Sequence, residues 1–394
     1  MKMKYKTKKR FAIFSMVLVV LYFLVTLIAP PLLDKGQNKT IEETTKVSNE
    51  AKILYNNLDF VGDLHCDALL WDRDLSKEND YGHVDFQRMS NSNVAFQAFT
   101  IVTKSPKGHN FEKTDGEAFD NITLLSILQG QSVTNWFSLF NRAMYQCNKL
   151  KGYARAYNDN FILIEKKDDL LTLLKKRATN KKIIGGIIGL EGGHCLEGEI
   201  ENFLKLYDNG VRMLGLSHFF DNKLGGSAHG IEKGGITEFG KKVLGEMQKR
   251  NMILDIAHTS DKMISDIIKT YNGPIVSSHT GVDGVIESYR NLSDEQLKLL
   301  AKKDALIGVA FFPGAIGNDG IRGIVKTMKH VKELIGVEHV ALGSDFDGSV
   351  TTPIDVTGYQ YIVEEMLQQN FSKREIEMIM GENLKNFLLK NLPN

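Results

Sequence analysis

The sequence predicts an α/β fold: a (β/α)8 TIM-type barrel behind an N-terminal transmembrane anchor helix, with a helical excursion between strands 2 and 3. Three observations point there. From about residue 51, eight apolar runs alternate with amphipathic helical stretches, the pattern of βα units around a parallel sheet. A charge-free segment of 19 residues, 11–29, precedes them. Six of the eight runs end in or beside a polar group with ligand or catalytic chemistry, and barrel enzymes gather such groups at the C-terminal strand ends.

The N-terminal decapeptide MKMKYKTKKR carries six Lys/Arg and no acid. The segment that follows, FAIFSMVLVVLYFLVTLIA, is long enough to cross a bilayer as a helix. No small-x-small cleavage site follows it, and it runs into Pro30-Pro31. These features predict an uncleaved signal anchor over 11–29 with residues 1–10 cytoplasmic, since basic flanks stay inside. The expected location is the cell membrane, single-pass, with the catalytic domain extracytoplasmic. Residues 30–50 are polar and read as a stalk; the barrel domain is expected over 51–394. Residues 11–394 hold 43 basic and 48 acidic side chains, a net charge of −5. That leaves no basic stripe and excludes nucleic acid as a partner. Cys66, Cys147 and Cys195 are too few for a disulfide framework, and an odd count leaves a free thiol.

The eight strand runs are 59–65, 94–102, 183–191, 211–218, 252–258, 274–279, 306–312 and 339–345. Helical patterns such as EFGKKVLGEMQKRN (238–251) and LSDEQLKLLAKKD (292–304) lead into the next run by short connections. The long interval from 103 to 182 breaks the rhythm. Its residues NITLLSILQGQSVTNWFSLFNRAMYQCNKLKGYARAY look helical and pack beside the barrel, and FILIEKKDDLLTLLKKR returns to it.

The polar strand ends are His65/Asp67, Glu191, His218, His258, His279 and Asp345. In a strand His65 and Asp67 share a face and Cys66 takes the other. Core satisfaction or helix capping explains any one of these residues, but not six at the same end. Imidazole and carboxylate donors suit zinc or a related divalent ion. His65, Asp67, Glu191, His258 and His279 exceed the three protein ligands of a mononuclear catalytic zinc. Two ions about 3.5–4 Å apart use them economically, with one carboxylate bridging. Glu191, on the third strand, is the natural bridge. No Lys ends strand three or four, so a carbamylated lysine is not the bridge; the strand-four residue is His218.

The segments HCD (65–67), GLEGGHCLEG (189–198), LGLSHFFDN (214–222), LDIAHTS (254–260), IVSSHTG (275–281), YRN (289–291) and GSDFDG (343–348) together resemble the renal, or membrane, dipeptidase family. The match runs colinearly from about residue 58 to the end. The resemblance implies a dinuclear zinc dipeptidase on a (β/α)8 barrel, its nucleophile a metal-bridging hydroxide and its substrates dipeptides, including some with a C-terminal D-residue. It implies that His65, Asp67 and Glu191 hold one Zn(2+) and Glu191, His258 and His279 the other. His218 then contacts the substrate carbonyl oxygen, Arg290 grips the C-terminal carboxylate, and Asp345 serves the scissile nitrogen. Physical reasons accompany each role: an oxyanion needs a hydrogen-bond donor, a departing amine needs a proton, and a guanidinium fork matches a carboxylate. Family members commonly dimerise, so a homodimer is the oligomer the resemblance suggests.

Departures from the family pattern fall at FFDNKLGGSAHG after His218, where related enzymes often carry a Trp-Ala-Asp-like element, and in the 103–182 excursion. Both bear on which dipeptide is preferred. Two other readings stay open: a metal amidohydrolase of the same barrel acting on another amide, a lactone or a β-lactam, and a non-catalytic surface binding protein. His83, His194 and His229 are expected to be structural or rim residues.

Overall fold

The computed structural model describes residues 2–41 and 46–394, with side chains from Thr7 onward. Eight parallel strands close into a barrel: β1 (Val61–Cys66), β2 (Val94–Val102), β3 (Ile184–Glu191), β4 (Val211–Gly215), β5 (Ile253–Asp255), β6 (Ile275–Thr280), β7 (Leu306–Val309) and β8 (Val340–Leu342). Each pairs with the next, and β8 returns to β1 through Leu342 opposite Asp63. One strand coincides with each of the eight apolar runs, β1 and β6 running one residue past theirs.

The main helices are α1 (Lys2–Gln37), α2 (Asn121–Leu128), α3 (Val133–Phe137), α4 (Leu139–Ala156), α5 (Lys167–Arg177), α6 (Ile200–Asp208), α7 (Glu238–Lys249), α8 (Asp261–Thr270), α9 (Asp294–Ala301), α10 (Ile321–Ile335), α11 (Tyr359–Gln368) and α12 (Asn383–Asn391). The excursion between β2 and β3 is α2 to α5, with a short strand, Phe161–Leu163, added beside the start of β3.

Strand alternation sorts the apolar side chains into two layers. Leu64, Ala98, Ile187, Met213, Ile253, Val276, Leu306 and Ala341, one from each strand, form a single cluster with Leu384 and Leu388 of α12. That cluster fills the barrel interior away from the site. Residues of the other parity, among them Phe99, Ile188, Leu214, Leu254 and Ile307, pack outward with helix residues such as Val243 and Met247 of α7 and Ile324 and Met328 of α10. Of the opposite parity to Leu64, buried Asp63 faces the helix layer, and its carboxylate accepts from His65 N (2.9 Å), Gln97 Nε2 (3.2 Å), Ser344 N and Tyr359 OH (2.8 Å). One side chain thereby ties β1, β2, the turn after β8 and α11 together.

The N-terminal helix contains the charge-free 11–29 and extends past it at both ends; over Thr7–Gln37 it is long and apolar enough to cross a membrane, by length and composition. It continues through Pro30 and Pro31 to Gln37, although each proline removes a ladder donor. The segment read as a stalk is docked up to Ile41 and again at buried Val47 and at Ser48, whose N donates to Glu364 Oε2 at 2.8 Å; its residues 42–45 lie outside the described ones. Asp34 is buried and accepts from Arg73 Nη1 at 2.6 and 2.7 Å, and Asn38 Oδ1 accepts from Ser349 N at 2.9 Å. Lys39–Thr40 pairs in parallel with Thr351–Thr352. The reason lies in the partners: buried Arg73 and the turn after β8 offer charges and backbone groups that need pairing, which composition alone does not show.

Candidate metal centre

His65 sits within β1 and Asp67 one residue past its end; Glu191 is the last residue of β3, and His279 lies in β6. His218, His258 and Asp345 each lie three residues beyond β4, β5 and β8. Local sequence explains these positions. After Glu191, Gly192 adopts φ +89°, and a Cβ there would come within 2.5 Å of His194 Nδ1. His258 turns at φ +61°, and Ser260, two residues on, caps α8 by accepting from Met263 N. That cap satisfies an end donor of the helix and ends the turn that aims His258 inward.

All seven residues come together in the mouth of the barrel, and all seven are buried. Glu191 is central. Its Oε1 lies 3.4 Å from His65 Nε2, 3.1 Å from His258 Nε2 and 3.5 Å from His279 Nε2, and its Oε2 lies 3.4 Å from His218 Nε2. Asp67 Oδ1 is 3.5 Å from His65 Nε2 and accepts from Thr100 Oγ1 at 2.6 Å. Asp345 Oδ1 stands 3.8 Å from His65 Nε2 and 4.0 Å from His279 Nε2.

The far ring nitrogens fix the tautomers. Ser278 Oγ lies 2.9 Å from His65 Nδ1, 3.0 Å from His279 Nδ1 and 2.5 Å from Asp255 Oδ2. A hydroxyl has one proton and two lone pairs. The serine gives its proton to Asp255 and accepts from both imidazoles, so His65 and His279 carry hydrogen on Nδ1. His229 Nδ1 donates to the carbonyl of Phe111 at 3.0 Å, leaving its Nε2 to accept from His258 Nδ1 at 3.0 Å. In their neutral form three imidazoles thus present Nε2 lone pairs to one space. His258 Nε2 and His279 Nε2 are 3.1 Å apart, and His65 Nε2 is buried with no hydrogen-bond partner among the described residues.

Lone pairs and carboxylate oxygens facing one another repel unless a cation lies between them, so the donor set fits divalent metal. Two triads, His65–Asp67–Glu191 and Glu191–His258–His279, each bring their ligand atoms within 4.8 Å of one another and share Glu191. A third grouping, His65–Asp255–His279, falls on the Nδ1 side that Ser278 already bridges. The electrostatics agree. Burial, with Asp67 adding, drives Glu191 well above the usual carboxylate range. Burial pushes Asp345 up to about 8 despite His65. Burial would lower His65, yet Glu191 and Asp67 overcome it and raise the ring to about 10, so that with no cation between them a proton on Nε2 supplies the positive charge those carboxylates call for. Burial holds His218, His258 and His279 well below their usual value. The carboxylates at the centre demand positive charge, and the deeper imidazoles are neutral donors.

A cavity of about 400 Å³ opens over the cluster. Asp67, Glu191, His218, His258 and Asp345 line it, and Leu70, Phe111, Ile122, Phe219, Phe312 and Val350 form an apolar wall. Arg290 does not line it. That side chain is buried nearby, gives one Nη to the carbonyl of His279, and has no partner for Nε among the described residues. His218 Nδ1 is likewise unpartnered.

Several contributors escape the motif reading. Asp255 stands inside the LDIAH run, where a carboxylate in an apolar strand was a visible signal. His229 lies 29 residues from His258, the ring it orients, with no local signal. His194 pairs with Thr103 Oγ1 at 2.9 Å, as a structural residue would. His83 holds the turn after β8: its N donates to Asp347 Oδ1 (2.7 Å), its Nδ1 accepts from Asp347 N (2.9 Å), and its Nε2 donates to the carbonyl of Lys39 (3.0 Å). Arg73 ion-pairs Asp347 as well as Asp34. Asp345, Asp347 and Ser349 all have φ near +60°, a conformation that costs non-glycine residues energy. The Arg73–His83 network holds Asp345 in that shape. All three cysteines are buried and free.

Residues 42–389 match the family profile described as Membrane dipeptidase (Peptidase family M19). The chain is 26% identical over 313 residues to Dipeptidase tcpJ of Claviceps purpurea (strain 20.1), covering 77% of this chain and 68% of that protein. It is 28% identical over 217 residues to Dipeptidase 3 of Mus musculus, covering 52% of this chain and 44% of the mouse protein, so it spans less than half of that relative. The fold matches a metallo peptidase from Rhodobacter sphaeroides, solved with a phosphinate mimic of the dipeptide L-Ala-D-Ala, at a TM-score of 0.69 and 22% identity over 84% of this chain and 99% of that one. With the profile spanning most of its length, the chain belongs to the membrane dipeptidase family, peptidase family M19.

Proposed function

We propose that this chain is a zinc-dependent dipeptidase with two Zn(2+) ions bridged by Glu191, held outside the cytoplasm by α1 as a single-pass anchor. His65, Asp67 and Glu191 are the ligands of one ion, and Glu191, His258 and His279 those of the other. The observation that carries this reading is the set of three Nε2 atoms around the Glu191 carboxylate. When bound, such a pair of cations acidifies a water for attack near neutral pH and polarises the scissile carbonyl.

The chain's own residues supply the rest. His218, kept neutral by burial, offers a ring N–H to the carbonyl oxygen as negative charge develops there. Asp345, which lines the cavity with Oδ1 3.8 Å from His65 Nε2, takes the proton lost by the attacking water in its ionised form, which bound cations would favour. It returns that proton to the amine nitrogen as the C–N bond breaks. The apolar wall excludes water and receives the side chains of a small substrate; a cavity of this size is at the lower end for small-molecule sites. Dipeptides with a C-terminal D-residue fall within the proposal, since a structural neighbour binds a mimic of L-Ala-D-Ala.

A panel of L,L and L,D dipeptides, assayed on chelated protein with and without zinc restored, tests the reading. Hydrolysis that returns with zinc is expected; a panel left uncut at full metal loading would overturn it.

The position of Arg290 favours one further reading. The cavity stops short of its guanidinium, so a free substrate carboxylate does not reach it in this conformation. A metal amidohydrolase acting on a neutral amide, lactone or β-lactam has no need of that contact. Equal rates on free and blocked C-termini, unchanged by Arg290→Ala, would select this alternative.

A further inference from the structure

From Asn121 to Asn141 the chain carries no charged residue over 21 positions, NITLLSILQGQSVTNWFSLFN. This is α2, α3 and the start of α4. The charges that bracket it, Asp120 and Arg142, are paired with each other at 2.5 Å. Within the stretch the polar groups bond inward. Gln131 Nε2 donates to Gln129 Oε1 (2.7 Å), Asn135 Nδ2 to Gln131 Oε1 (3.1 Å), Trp136 Nε1 to Gln131 O (3.0 Å), and Gln129 Nε2 to Leu70 O (2.9 Å). Arg142 Nε satisfies Asn135 O at 2.6 Å. The apolar side chains point the other way: Leu124 and Val133 are about half exposed, and Phe137 is 84% exposed. A water-facing loop would be expected to show the reverse.

The anchor helix lies against this face. Tyr22 OH donates to Ile127 O at 3.2 Å, and Gly130 sits beside Thr26. Tyr22 is twelve residues from Asp34, about 18 Å along a helix axis, and Asp34 is fixed to the barrel through Arg73. The α2–α3 turn is therefore level with the apolar part of α1, not with its charged end.

We propose that α2 and α3 form a hairpin inserted into the outer leaflet of the lipid bilayer, with Leu124, Val133 and Phe137 among the acyl chains. It rests on the reading of α1 as a membrane anchor. Polar groups in hydrocarbon must be satisfied internally, and the side chains of Gln129, Gln131, Asn135 and Trp136 are bonded within the protein. The lipid-facing surface of α1 continues onto the hairpin, which argues for lipid and not a protein partner as the occupant. Ile122 of α2 also lines the cavity, so insertion brings the mouth of the site to the headgroup region. Substrates released at the membrane surface then meet the site directly.

The chain has two tryptophans: Trp71 is buried and Trp136 lies on the hairpin. Full-length protein is reconstituted into phosphatidylcholine vesicles with plain or brominated acyl chains, alongside Trp136→Phe. The expected result is bromine quenching of the emission that Trp136→Phe removes. Leu124→Glu with Phe137→Glu should abolish that quenching while dipeptide hydrolysis continues; Leu124→Ser with Phe137→Ser serves if the first pair fails to fold. Unquenched Trp136 in protein that survives an alkaline wash on the vesicles would overturn the hairpin, including the case of a second copy covering it. Protein that washes off would overturn hairpin and anchor together. Quenching with no hydrolysis would uphold the hairpin and count against the catalytic reading alone.

Discussion

Three histidines at the barrel mouth share one arrangement: each gives its Nδ1 proton to a neighbour and turns its Nε2 inward. The neighbours, Ser278 with Asp255 and His229 with Phe111 O, hold ring orientation as much as the strands do. Loss of such an outer partner typically costs about 10–100-fold in metal affinity. His229→Ala is expected to weaken zinc binding within that range in a chelator competition, while hydrolysis at saturating zinc falls less. Affinity equal to wild type would show that His229 does not set the ring. Arg73 is a second residue whose effect reaches the site indirectly. Arg73→Met leaves Asp34 and Asp347 buried without their cation, a loss worth about 3–5 kcal/mol in comparable buried pairs. A lowered unfolding temperature together with a reduced kcat is the expected outcome, because the turn that carries Asp345 loses its brace. The cluster itself was legible in the sequence, since polar groups at six strand ends exceed what a core needs. Their tautomers were not, because the deciding partners come from other strands.

At the level of elements, the eight strands and the excursion followed from hydrophobic periodicity and connection length. The segment after Pro30-Pro31 did not. Its residues read as polar linker, yet Asp34, Asn38 and Lys39 find partners on Arg73, Ser349 and His83. Local propensity carries no information about such distant partners. The docked segment has a pH signature through His83. Burial lowers its folded-state pKa below the ordinary 6.5, and the neutral ring both donates to Lys39 O and accepts from Asp347 N. Below 6.5 the unfolded chain takes up a proton that the native ring refuses, so this contribution is present above pH 6.5 and is lost as pH falls. Melting temperatures recorded from about pH 7.5 to 5.5 should therefore drop, and more shallowly in His83→Gln. Parallel slopes for the two proteins would remove His83 from the explanation.

For the molecule as a whole, the N-terminal helix, the docked segment and the barrel mouth form one continuous piece. The 9-residue β2 and the 8-residue β3 that flank the excursion belong to the barrel, while the excursion reaches out beside α1. Barrel and helix were each evident from composition and pattern. Their contact was not, since nothing in the sequence says that Tyr22 meets Ile127. Cations bound to the native state alone stabilise it in proportion to their affinity, so chelation is expected to lower the melting temperature and zinc to restore it. The most direct test of the central claim is metal content by plasma mass spectrometry on protein purified without chelator. Two zinc ions per wild-type chain and a clear loss in Glu191→Ala are expected. One ion or none in the wild type, or two retained without the Glu191 carboxylate, would contradict a shared centre.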